Sequence, residues 1–405
     1  MSDLEQATRK GALQGLKIVD ITTAILGPAA TQILGDMGAE VVKIEPPEGD
    51  QMRNLGPSRH HGMAAMFLGM NRNKRSMVLD LKQPESRAVL ERLVSTCDVF
   101  VHNMRPAAAE RLGIGYRDMS RGNPRLIYAS ASGYRPDGRY RDKPAFDDVI
   151  QGGSGISGLF LRTDETARYA PFVIADKVIA HVLASAIAVA LFERERSGEG
   201  QEVQVPMFES MVEFNLLENF WGRAFDPPLG EPGYLRIFTK ERRPFRTKDG
   251  FVCVTATTDQ QWERLFAAIG RPELALDERF AKMAQRTHHF GEAYEYLSEA
   301  MRKRSTAEWM TTFDEVDLPN GPVNRLEDLF DSPYLQETEF FRRYEHPSEG
   351  RLVTTNPTVT FSRTASGLHR PPPRLGEHTR EIMEQAGFSD EEIRRVEAHH
   401  LPYGE

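Results

Sequence analysis

Strand-like and helix-like segments alternate through the first third of the chain, and this alternation limits the possible folds more than any other feature. Residues 16–21 (LKIVDI), 40–45 (EVVKIE), 76–80 (SMVLD), 98–102 (DVFVH) and 125–130 (RLIYAS) read as strands. Gly27-Pro28 opens a helical stretch to residue 36, and a second helix is expected over 85–96. Such a succession calls for a largely parallel sheet with helices on both faces, an α/β fold. Ligands of such sheets sit outside the carboxyl ends of the strands. Here those ends are residues 22–26, 80–82 and 103–105. The longest apolar stretch, residues 178–192, is broken by His181 and Ser185 and closed by Glu193-Arg194, so it reads as a buried helix. No run reaches the ~20 apolar residues of a membrane helix, and no membrane contact is expected.

The chain of 405 residues is long enough for two or three domains. The pattern changes near Phe225-Asp226-Pro227-Pro228, after which residues 250–255 begin a smaller α+β region with helices near 261–269 and 293–303. A second connection runs over about 317–344, and a terminal helix is expected near 389–398.

The formal net charge of −8 argues against nucleic acid as a partner, so an anionic ligand has to be met by local basic groups. Two cysteines, Cys97 and Cys253, without a CxxC spacing, disfavour both a disulfide framework and a thiolate metal site. The opening MSDLEQATRKGALQG has no apolar core or small-residue cleavage site, so a cytoplasmic location is expected. Gly153-Ser154-Gly155-Ile156-Ser157-Gly158 has the glycine spacing of a dinucleotide-binding turn but follows no clear strand, which disfavours nicotinamide binding. The adjacent pairs His60-His61, His288-His289 and His399-His400 lack the i,i+4 arrangement of a metal site and read as surface residues. Arg242-Arg243 and Arg302-Lys303-Arg304 read as solvated faces.

Asp176 lies where the long apolar helix begins. An aspartate there is a natural N-cap, and a helix N-terminus also steadies a reactive carboxylate, so both roles stay open. The surrounding pattern resembles the class III CoA-transferase family, which includes formyl-CoA transferase and the carnitine CoA-transferases. Leu16-Lys17-Ile18-Val19-Asp20, Gly27-Pro28 and the stretch from Gly38 to Glu45 carry the opening of that resemblance. It continues through Asn71-Arg72-Asn73-Lys74-Arg75-Ser76, Asn103-Met104-Arg105-Pro106, Arg111-Leu112-Gly113 and Ser132-Gly133-Tyr134. Ser197-Gly198-Glu199-Gly200-Gln201, Asn320-Gly321-Pro322-Val323-Asn324 and Leu375-Gly376-Glu377-His378-Thr379 complete it, so the resemblance spans nearly the whole chain.

The resemblance implies a Rossmann-like large domain with a parallel sheet plus a smaller α+β domain, in an interlocked ring-like homodimer. The large domain takes residues 1–225, the small one 226–330, and 331–405 return to the large domain. Asp176 falls on the family's catalytic aspartate. Ile25 and Leu26 fall on the loop at the adenine end of CoA. Leu79, Asp80, Leu81, Lys82, Asn103, Met104, Arg105 and Arg111 fall on segments lining the nucleotide and diphosphate. Lys143, Phe146 and Asp147 fall near the pantetheine and thioester. Acyl-CoA and an organic acid are then the substrates, with no permanently bound cofactor and no metal. Asp176 would attack the thioester to give a mixed anhydride and then an aspartyl-CoA thioester. Gly152, Gly153 and Gly155 are candidate backbone donors to the oxyanions.

Two departures from the family pattern bear on specificity: Pro46 replaces a nucleotide-stacking arginine of some relatives, and residues 251–260 hold no glycine-rich lid. Three other readings are open. An acyl-CoA racemase needs a histidine base where Phe146 stands. A non-catalytic CoA-binding protein and a nicotinamide oxidoreductase are the others.

Overall fold

The structure is a computed structural model that describes residues 10–398. Two compact units emerge. Among the described residues, one gathers those up to Ser154, Tyr169–Glu213 and those from Glu337 on; the other gathers Gly155–Arg168 and Phe214–Gln336.

The first unit is built on six parallel strands: β1 (Lys17–Asp20), β2 (Glu40–Glu45), β3 (Lys74–Val78), β4 (Val99–His102), β5 (Ile127–Ser132) and β6 (Gln201–Pro206). Their order is β3-β2-β1-β4-β5-β6, so the winding reverses between β1 and β4. The helices that matter below are α1 (Leu26–Asp36), α2 (Pro84–Val94), α3 (Pro106–Arg111), α4 (Asp147–Gly153) and α5 (Ile174–Ser197). Ile18, Val19, Val41, Ile44, Val99, Phe100 and Val101 are buried, which is why the central strands read as continuous apolar runs.

The expected third strand at 76–80 starts earlier, because Lys74 lies within β3 as a fully buried side chain rather than in a loop. A strand at 201–206 had no counterpart in the sequence reading. In β6 the polar Glu202 and Gln204 are exposed while Val205 is buried, a pattern of one covered face. The apolar helix runs further than 178–192, over the 24 residues of α5, and only one of its faces is covered. Ile179, Leu183 and Ile187 are buried, whereas Val182, Val189 and Phe192 are exposed. The closing helices Thr379–Gln385 and Asp390–Glu397 put Ile382, Met383, Ile393 and Val396 into the same core as Phe100 and Leu90 of α2. A capping box between Ser389 and Glu392 starts the last of them.

The second unit holds a three-stranded antiparallel sheet of Phe245–Arg246, Phe251–Val254 and Asn320–Pro322. Its helices Asp259–Ala268, Phe290–Met301 and Thr306–Glu315 enclose a core centred on Trp262, Phe266, Trp309 and Phe313. Residues 251–260 form a strand and the Thr258 capping box of the following helix.

Candidate active site

The reversal of strand order between β1 and β4 opens a crevice at their carboxyl ends. The two ends are stitched together. The Thr23 N–H donates to Asn103 Oδ1 at 3.0 Å, and Asn103 Nδ2 donates back to the Thr23 carbonyl at 2.8 Å. Ala24 then adopts a left-handed φ of 66°, and Gly27 packs so close to Thr22 that a Cβ there would lie 2.2 Å from the Thr22 Cβ. Only glycine fits at position 27.

Buried ions beneath the crevice fix the 22–26 loop. Asp20 receives the Thr22 N–H at 2.8 Å and Lys74 Nζ at 3.2 Å, while Lys43 Nζ donates to the Thr22 carbonyl at 2.8 Å and to Asp50 at 3.0 Å. Arg53 clamps Glu45 with two bonds of 2.7 Å. All six side chains are buried. Burial opposes the charge on Asp20, but Lys74 and Lys43 outweigh it and hold the carboxyl below its usual range. Burial likewise opposes Glu45, where Arg53 prevails. Lys74 is pushed down to about 8, by burial first.

The expected ligand loops divide by exposure. Leu26 and Leu79 are buried in the core, so only their backbone can face a ligand, whereas Ile25 is half-buried. Asp80 folds back on its own turn, accepting from the Lys82 N–H at 3.1 Å, and Leu81 and Met104 pack against the core. Lys82, Arg105 and Arg111 are exposed, and among the described residues none pairs with a carboxylate. Arg105 donates to the Asp142 carbonyl at 3.3 Å, and the Ala107 N–H of α3 donates to the Asp142 carboxylate at 2.8 Å. The segment bearing Lys143 is thereby tied to the 103–105 loop, with the Lys143 ammonium 4.9 Å from the Tyr140 ring. Phe146 is 67% exposed and Asp147 is buried.

Asp176 is not an N-cap. Helix α5 starts at Ile174 with Val173 in the capping position and no side-chain cap of its own, so Asp176 occupies the third helical residue. The missing cap comes from another helix: Asp147 of α4 accepts the Asp176 N–H at 3.0 Å. Asp147 in turn accepts from Gln151 Nε2 at 2.5 Å. Among the described residues no donor reaches the Asp176 carboxylate itself. Burial, and then the neighbouring Asp147 charge, push its carboxyl up to about 6. A carboxylate with free lone pairs and raised basicity, on the positive end of a helix, is equipped for nucleophilic attack.

Two of the three expected oxyanion donors are committed to a helix. Gly152 and Gly153 lie inside α4, beyond its first turn, where their N–H groups are spent on the helix. Gly155 takes a left-handed φ of 86° ahead of a four-residue helix, Ile156–Leu159, in the second unit. The segment before this glycine run is helical, so it is no dinucleotide-binding turn.

His60 and His289 each meet a carboxylate, of Glu349 at 3.1 Å and Glu292 at 2.8 Å, where the sequence suggested none. No cluster of metal-binding side chains occurs among the described residues. His399-His400 lies outside the described residues.

The sequence reading overlooked His102 and Gln151. His102, at the end of β4, receives the Met104 N–H on Nδ1 at 3.2 Å and meets the Tyr128 hydroxyl through Nε2 at 2.7 Å, and burial pushes it down to about 4. It is neutral with both nitrogens engaged, so it is no proton shuttle. Gln151 stands four residues after Asp147, on the same helix face, and that spacing was its one available signal.

The model of the family described as CoA-transferase family III matches residues 13–379. Human succinyl-CoA:glutarate CoA-transferase is 29% identical, over 92% of this chain and 85% of its own length. Succinate–glutarate CoA-transferase of Agrobacterium fabrum is 31% identical, over 94% of this chain and 96% of its own. The crystal structure of a CAIB/BAIF family protein from Brucella suis superposes with a TM-score of 0.77 at 28% identity, covering 93% of this chain and all of that one.

Proposed function

Because the chain belongs to CoA-transferase family III and so moves CoA from an acyl-CoA to a carboxylic acid, we propose that the transfer is covalent and runs through Asp176. The supporting observation is its carboxylate: free of donors, lifted to about 6 and held on the first turn of α5.

The carboxylate oxygen attacks the donor thioester carbon, the C–S bond breaks, and CoA leaves as a thiolate, giving a mixed anhydride. The thiolate then attacks the aspartyl carbonyl, releases the donor acid, and leaves CoA on Asp176 as a thioester. An acceptor carboxylate attacks that thioester to form a second anhydride. The returning thiolate takes the acceptor acyl group and frees Asp176. No net proton or electron is exchanged. CoA has to be retained between steps, and the exposed Lys82, Arg105 and Arg111, none of them paired with a carboxylate among the described residues, suit its phosphates. Asn103 and Asp80 shape the loops between them. Succinyl-CoA with glutarate is the first pair to try, since one relative is named for that pair and another for succinate with glutarate. A racemase would need a base at Phe146, which offers no basic atom.

The test is mass spectrometry after incubation with succinyl-CoA and hydroxylamine. A hydroxamate on the Asp176 peptide, absent from Asp176→Asn, is the expected result. Transfer that proceeds with no adduct on that peptide sinks covalent catalysis at Asp176.

The reading includes a homodimer of interlocked rings. A helix that is apolar all round belongs in an interior, yet Val182, Val189 and Phe192 of α5 are exposed in the single chain. A second copy covers them. Sedimentation is expected to give twice the 45.8 kDa chain mass, with Val189→Glu shifting it toward one chain. A fully active single chain would refute the assembly.

A further inference from the structure

We infer that Gln151 is a positioning residue for Asp176, holding Asp147 and the entry to α5 in one rigid arrangement through its buried amide. The inference rests on the reading of Asp176 as nucleophile.

Gln151 has no exposed surface, and each end of its amide is engaged. Nε2 donates to Asp147 Oδ2 at 2.5 Å and to the Phe172 carbonyl at 3.4 Å, while Oε1 accepts the Ala170 N–H at 2.9 Å. The side chain thus imitates a neighbouring peptide: it pairs with an N–H and a C=O two residues apart, on the segment that leads into α5. Holding residues 170–172 would need only that pairing. The third bond, to Asp147, adds something else. It occupies the Asp147 oxygen that does not cap α5, and so fixes the rotation of the carboxylate whose other oxygen receives the Asp176 N–H. From Gln151 to the nucleophile the path is two hydrogen bonds long, and α4 and α5 pack against each other along it.

Asp147 is also the charge that acts on Asp176. Other titratable groups on the packed elements are Asp148 of α4, Lys177, His181 and the 193–196 run of α5 (Glu193, Arg194, Glu195 and Arg196), Asp36 of α1, Tyr128 of β5 and Glu202 of β6. Lys177 turns over the Phe172 ring at 5.2 Å, and Asp36 is engaged by Arg72. A residue that sets where the Asp147 charge lies therefore sets both the direction and the basicity of Asp176.

Two variants of the full chain, Gln151→Leu and Gln151→Glu, test this with succinyl-CoA and glutarate. For Gln151→Leu, kcat is expected to fall by about 10- to 100-fold, the cost of a misplacement on the order of 1 Å. The KM for succinyl-CoA is expected to stay put. The Asp147 carboxylate is freed to swing away, so the acid limb of kcat/KM moves below its wild-type position near pH 6. Gln151→Glu keeps the shape but sets two carboxylates at hydrogen-bond distance, which share a proton. It is expected to keep the acid limb of the wild type and to acquire a new alkaline limb where the shared proton is lost. If Gln151→Leu does not fold, this isosteric variant decides. Unchanged pH limbs in the folded variants, with wild-type kcat and the same Asp176 adduct, would overturn the positioning role while leaving the nucleophile in place. A wild-type enzyme that forms no adduct would overturn both, and the two failures are told apart by that one measurement.

Discussion

Asp176→Asn is expected to lower CoA transfer by about 10⁴-fold or more, the scale on which nucleophile deletions act. It should also make the protein more stable at neutral pH. The native carboxyl is raised from 3.8 to about 6, by burial and then by Asp147. Between those values the folded chain keeps a proton that the unfolded chain gives up. The favourable contribution is complete below about pH 4 and is lost as pH rises through 6. Above that, the ionised group costs on the order of 1–2 kcal/mol, allowing for the water that still reaches it. The amide removes this cost. Melting curves of both proteins should coincide near pH 4 and separate near pH 7.5, with the inactive variant melting higher. Equal melting temperatures at both pH values would mean that Asp176 carries no strain. Retained activity would mean that the nucleophile lies elsewhere.

The second large effect lies beneath the crevice. Asp20→Asn leaves Lys43 and Lys74 with less compensation at 0% exposure, and the loss should be about 3–5 kcal/mol in urea unfolding. The Thr22 N–H and hydroxyl would also lose a charged acceptor, at 2.8 and 2.5 Å, and with it the fixed start of the 22–26 loop. Because Asp20 is held below its usual range, its contribution exists above about pH 4 and fades as pH falls through the lower native value. A loss under about 1 kcal/mol would show that Asp50 alone neutralises both lysines.

These two sites differ in how visible they were beforehand. The parallel sheet could be read because Ile18, Val41 and Val99 sit on strands covered on both faces. Strand β6 could not, since Glu202 and Gln204 face outward and only Val205 is buried. Lys43, Glu45 and Lys74 are charged residues of a kind that is almost never fully buried unless paired, and their partners are brought together only by the folded chain. Asp176 stands out at the head of an apolar helix, but that place suits a cap as well as a nucleophile, and only the family resemblance aligns it with a catalytic aspartate. Its true position is three residues in, and the cap it was expected to provide comes from Asp147, 29 residues earlier. No local pattern reports a hydrogen bond supplied from another helix. Gly152 and Gly153, two of the three glycines expected as donors, were misjudged for a similar reason, because no local pattern marked Asp147 as the start of a helix that claims their N–H groups.

Asp176 rides on the head of a 24-residue rod, about 36 Å long, whose inner face is embedded against β5, β6 and α1. An anchor of that length does not swing. If, as proposed, one sulfur passes to Asp176 and then away from it, some group has to travel, and the helix leaves that motion to the substrate. On that reading the journey would fall to the flexible arm of the substrate, which leaves, waits and returns while the aspartate stands still. Turnover would then be paced by the tether of CoA, and lengthening or stiffening that tether by synthesis would retune the enzyme without changing a residue.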